Sequence, residues 1–171
     1  MTPWSRLRLP VVLLVVLVLQ TSLLVRLRLH DVHPEALLVL ALAAGIVAGP
    51  ERGALVGFAT GLVADLFLET PFGLSALTYC LAAFAVGSIE STVMRSTWWS
   101  SPLTVLAGSA AGVALFVLIG LIMGQSQLTH HHPVAVVGIV SLANSVLALP
   151  LVPLARWALP EPERSYPRPP W

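Results

Sequence analysis

The chain has 171 residues, of which 57 % are hydrophobic and only 10 % charged, with a formal net charge of +1. Soluble domains carry about 25 % charged residues, so this composition excludes a water-soluble globule and points to an integral membrane protein. The lone Cys80 excludes an internal disulfide framework and most cysteine-based metal sites.

Six membrane spans are predicted, as an all-α bundle. Arg6 and Arg8 precede the apolar run from Leu9 to Leu19. This imitates a signal peptide, but no small-x-small cleavage site follows, so residues 9–25 read as an uncleaved first span. The second span covers 35–49 and is opened by Pro34, a favourable first-turn residue. The third covers 53–68. Spans two and three are short: the third reaches about 24 Å, against a hydrocarbon core of about 30 Å. Pro50, Glu51 and Arg52 form the predicted turn between them. The fourth covers 71–92 with Thr70 as N-cap, and the fifth 102–124 with Ser101 as cap. The sixth runs from 133 to about 149, where Pro150 and Pro153 kink or end it ahead of an Arg156–Trp157 anchor.

The arginines orient the bundle. With a cytoplasmic N-terminus, Arg6, Arg8, Arg52, Arg95, Arg156, Arg164 and Arg168 lie inside and only Arg26 and Arg28 outside, so both termini are expected in the cytoplasm. Trp4, Trp98, Trp99 and Trp157 form an interfacial belt on the same side. Residues 1–159 make one transmembrane domain, and the proline-rich tail 160–171 is expected to be disordered. The loops are short, which leaves no room for a soluble catalytic or nucleic-acid-binding domain.

Asp65 is the most informative residue. It sits inside the apolar run 53–68, in which Gly53, Gly57, Gly61 and Asp65 recur every four residues and so drift slowly around one side of a helix. Gly45 and Gly49 extend that spacing back through the turn. Such a stripe lets another backbone approach closely, in a packed helical hairpin or a re-entrant loop. A carboxylate in lipid must face a partner, a cavity or the bilayer edge. Asp65 has two readings: a tether for the connection between spans three and four, near the positive end of the next helix, or a contact for a ligand or partner. Glu69 lies one turn further on.

Gln20, Ser75, Thr78, Ser141 and Asn144 are polar positions within the spans. Ser141, Asn144 and Ser145 share one helical face. Together with Asp65 they form a candidate polar pocket; the alternative is a set of interhelical hydrogen bonds of about 0.6 kcal/mol each. Gly108, Gly112, Gly120 and Gly124 give the fifth span small-residue faces for packing. His130, His131 and His132 are consecutive and cannot easily turn three imidazoles onto one metal, so they read as a solvated loop. Glu90 and Arg95 read as an interfacial ion pair or as snorkelling side chains. There is no Ser–His or Ser–Lys dyad, no paired aspartates and no HExxH motif, so neither an enzyme nor a cofactor or metal site is expected.

Three segments carry a family resemblance: Pro34-Glu35-Ala36-Leu37-Leu38, then Gly57-Phe58-x-x-Gly61-Leu62-x-x-Asp65-Leu66, then Pro71-x-Gly73-x-x-Ala76-Leu77. Over residues 34–87 the chain resembles the rod-shape-determining MreD family. Glu35 departs from the commoner Asp, and the triple histidine and proline-rich tail have no place in the pattern. The resemblance implies a non-enzymatic inner-membrane scaffold of the bacterial cell-elongation machinery. It implies MreC as partner, and a link between MreB filaments, the RodA glycosyltransferase and its penicillin-binding transpeptidase in peptidoglycan synthesis. It also implies an architecture similar to the six-span substrate-binding component of energy-coupling-factor vitamin transporters. Gly57, Phe58, Gly61, Asp65 and Gly73 carry over as signature positions. With Gly53 they are the expected partner contacts, in a lateral groove along the glycine stripe that receives the transmembrane helix of MreC, within membrane lipid. The alternative is a substrate-binding subunit of a vitamin-type transporter. Against it, the first span lacks the Ala-x-x-x-Ala face such subunits present to their transport partner.

Overall fold

The computed structural model describes residues 3–22, 35–67, 71–93, 100–124 and 133–159. These form six helices: α1 (Pro3–Ser22), α2 (Ala36–Ala48), α3 (Pro50–Asp65), α4 (Leu74–Val93), α5 (Ser100–Ile122) and α6 (Pro133–Ala158). Two of them contain stretches long and apolar enough to cross a membrane, Pro102–Ile122 and Val137–Ala158. Glu69, Thr70, Arg95, Trp98, Trp99, Arg26, Arg28, the triple histidine and the tail lie outside the described residues.

α2 is the centre of the bundle. It is apolar around its whole circumference, which suits either a lipid-facing span or a core helix, and here it is enclosed. Twelve of its 13 residues are buried, and Leu38 through Ala44 have no exposure at all. Neighbours from α1, α3, α4, α5 and α6 enclose it. Its length, about 20 Å at 1.5 Å per residue, is therefore matched to protein on every side.

The joint between α2 and α3 is one residue, Gly49, at φ +87°, a left-handed conformation that favours glycine. Pro50 opens α3 at the position where a missing N–H costs nothing. The turn thus falls one residue earlier than expected, because Pro50, Glu51 and Arg52 already belong to the helix. The result is a tight hairpin. A Cβ on Gly53 would strike the Gly45 backbone, and one on Gly45 the Ala83 carbonyl. On α3, a Cβ at Gly57 would come within 2.5 Å of the Tyr79 carbonyl oxygen, and one at Gly61 would collide with the Ala76 backbone. On α4, a Cβ at Gly87 would sit 2.8 Å from Pro50 Cα. α2, α3 and α4 therefore meet backbone to backbone.

Other boundaries moved too: α1 begins at Pro3 rather than at 9, and α5 at Ser100, ahead of the expected cap Ser101. α4 starts at Leu74, because Pro71, Phe72 and Gly73 form a turn in which Leu74 N–H bonds the Pro71 carbonyl at 3.1 Å. α6 does not stop near 149 but runs through Pro150 and Pro153 to Ala158. Both prolines face outward, while Leu151, Val152, Ala155 and Ala158 are buried. Packing of that inward stripe outweighs the two lost backbone bonds.

Candidate functional site

Three interior side chains, Gln20, Asp65 and Asn144, serve helix ends. The first N–H groups of a helix have no partner in their own helix, and without water they must be met by a side chain. Neither α2 nor α3 has a side-chain cap from its own N-cap residue. α2 and α4 receive theirs from other helices.

Asp65, the last residue of α3 and 4 % exposed, supplies the cap for α4. Its carboxylate accepts N–H bonds from Gly73 at 2.8 Å, Ser75 at 3.0 Å and Ala76 at 3.3 Å. Gly73 holds φ +100°, which turns the chain so that its N–H joins those of the first helical turn. The negative charge also lies at the positive end of the α4 dipole.

The start of α2 is held by three helices. Asn144 of α6 accepts the Glu35 N–H at 2.9 Å, and Gln20 of α1 accepts the Leu37 N–H at 3.0 Å. The Asn144 amide donates onward to Ser109 of α5 at 2.6 Å. The Tyr79 hydroxyl of α4 donates to the Glu35 carboxylate at 3.0 Å. At the other end of α1, the Arg8 guanidinium stacks over the Trp157 ring at 5.0 Å and reaches the Trp157 carbonyl at 3.5 Å.

The polar residues singled out in the sequence thus divide. Gln20 and Asn144 converge on the first turn of α2. Asp65 serves α4 instead, so these hydrogen bonds form two separate caps. Thr78 and Ser141 bond their own helices, at the Leu74 and Val137 carbonyls. Ser75 is fully buried, and its hydroxyl has no hydrogen-bond partner among the described residues. Gly53, Gly57 and Gly61 are buried, with α2 and α4 of this same chain against them. The close approach that the stripe permits is therefore used internally, by α2 and α4. Phe58 lies beside the stripe on α3 and is 48 % exposed. Glu35, Tyr79 and Ser109 were not singled out as site residues. The available signal was an acid directly after Pro34 at the head of an otherwise apolar helix.

Among the described residues, no group of three His, Cys, Asp or Glu side chains could hold a metal ion. The carboxylates and amides accept backbone N–H groups, the Tyr79 phenol and, at Glu90, the Thr104 hydroxyl at 3.4 Å. Fold and site together define an all-helical protein with membrane-length apolar helices and polar side chains that bond between helices. The family model of the rod shape-determining protein MreD matches residues 4–159, and the chain belongs to that family. The family consists of shape-determining membrane proteins, so this protein has a role in rod shape determination. No curated protein and no solved structure matches the chain.

Proposed function

We propose that this protein is a non-enzymatic, multi-span scaffold of the bacterial rod complex. In this reading all six helices traverse the inner membrane and both termini are cytoplasmic. The protein binds MreC and through it links MreB filaments to RodA and the penicillin-binding transpeptidase during peptidoglycan synthesis. The family match over residues 4–159 carries this proposal. The six helices, and an interior committed to capping them, support it. So does the arginine asymmetry. The resemblance to the substrate-binding component of vitamin transporters stays a proposal about architecture. No observation favours the transport function itself.

Of the partner contacts expected from the sequence, Phe58 is the exposed one. Leu55, Phe58, Leu77, Leu81 and Phe84 present a broad apolar surface on α3 and α4. The transmembrane helix of MreC is proposed to lie on this surface, and Gly53, Gly57, Gly61, Asp65 and Gly73 to shape it from behind.

The test is affinity purification of the detergent-solubilised protein from its native membrane, with mass-spectrometric identification of what accompanies it. Recovery of MreC and the elongation synthases is expected, with MreC lost from Phe58→Ala. Recovery of a transporter ATPase module instead would overturn the scaffold reading. MreC retained at wild-type yield by Phe58→Ala and Phe84→Ala together would move the docking surface elsewhere.

A further inference from the structure

The contacts between helices are of two kinds, and they divide the bundle in two. Within α2, α3 and α4 the contacts are backbone on backbone, at Gly45, Gly53, Gly57, Gly61 and Gly87. Asp65 adds its bonds between α3 and α4, and Tyr79 its bond to Glu35. Such an interface has one register. A slide of one residue would drive a Cβ into a main chain that cannot yield.

α1, α5 and α6 are tied to one another by polar groups. Arg8 joins α1 to Trp157 of α6, Asn144 joins α6 to Ser109 of α5, and Ser145 donates to the Pro102 carbonyl at 3.1 Å. Where α5 meets α2 and α4, its glycines face side-chain ends rather than main chain. Gly108 faces the ends of Val86 and Leu42, and Gly112 faces Leu38 and the Ala82 methyl. Side-chain tips can resettle, and packed helices slide on one another through such layers. Hydrogen bonds cross the boundary at two places: the Leu37 and Glu35 N–H groups donate to Gln20 and Asn144 at the first turn of α2, and Thr104 of α5 donates to the Glu90 carboxylate of α4 at a longer 3.4 Å.

We propose that the protein is built as a rigid unit, α2–α4, and a movable unit, α1 with α5 and α6, latched by the amides of Gln20 and Asn144 on the first turn of α2. Releasing the latch lets the second unit shift against the first while each keeps its internal packing. The bonds of the latch are to backbone N–H groups, so an acceptor oxygen is all the position requires. The device is independent of which partner the protein binds.

Electron–electron distance measurement on the full chain in lipid nanodiscs tests it. In a Cys80→Ala background, spin labels on Leu55→Cys and Leu77→Cys report within the rigid unit. Labels on Leu77→Cys and Val146→Cys report between units; all three positions are exposed. Asn144→Ala and Gln20→Leu are expected to broaden the second distance distribution about twofold, or to shift it, and to leave the first unchanged. Gln20→Glu, which keeps an acceptor oxygen, is expected to retain the wild-type distribution. If Asn144→Ala does not fold, the comparison of Gln20→Leu with Gln20→Glu carries the test. An unchanged second distribution in the released variants overturns the proposal. So does equal broadening of both pairs, which would make the amides general supports of one undivided bundle.

Discussion

Asp65 draws three backbone N–H groups onto one carboxylate, and the substitutions that separate its properties are simple. Asp65→Asn keeps one carbonyl acceptor and loses the charge, at an expected cost of about 1 kcal/mol. Asp65→Leu leaves the first turn of α4 without acceptors where water cannot replace them, at an expected cost of about 3 kcal/mol or more. Thermal unfolding in detergent should rank wild type above Asp65→Asn above Asp65→Leu. Equal stability of all three would show that the cap contributes nothing. If Asp65→Asn folds yet fails to support rod shape, the carboxylate has a role beyond its cap; full rod shape in that variant leaves it a structural tether.

For the helices, the decisive quantity is the distance between backbones. A methyl at Gly57 meets the Tyr79 carbonyl at 2.5 Å, where neither chain can retreat without separating α3 from α4. Gly57→Ala is therefore expected to destabilise by about 2 kcal/mol or more and to lower the yield of monodisperse protein. Gly138 on α6 is the control, since a Cβ there meets nothing within 4 Å. Gly138→Ala should be neutral or stabilising by up to about 1 kcal/mol through helix propensity. Similar melting of the two variants would contradict the backbone-contact account. The same contrast separates fold from partner binding: Gly57→Ala should lose MreC by unfolding, Phe58→Ala while staying folded.

On the scale of the molecule, the chain encloses a short apolar helix inside five others and directs polar side chains to helix ends. In the proposed topology both termini face the cytoplasm. A reporter that is active only in the cytoplasm, fused after Trp171, should be active, and the same reporter inserted between α5 and α6 should be silent. The reverse pattern would invert the bundle; activity at both positions would mean that α6 does not cross.

The sequence by itself determined the helical class, the number of helices and the family. Apolar runs, their breaks at proline and glycine, and motif spacing are local quantities, and the 34–87 motif segment lies inside the family match. It also marked Gly53, Gly57, Gly61 and Asp65 as unusual, because glycine and a carboxylate are conspicuous in an apolar helix. What those residues face was decided only by tertiary structure. A four-residue spacing specifies a face, not the neighbour that covers it, and α4 of the same chain covers this one. The same holds for α6, which continues past two prolines because its inward stripe packs on the core. It holds also for Glu35, Tyr79 and Ser109, brought into one hydrogen-bonded group with Gln20 and Asn144 from five different helices and helix ends. Contacts between residues far apart in the chain depend on how the helices dock, and no local pattern records that.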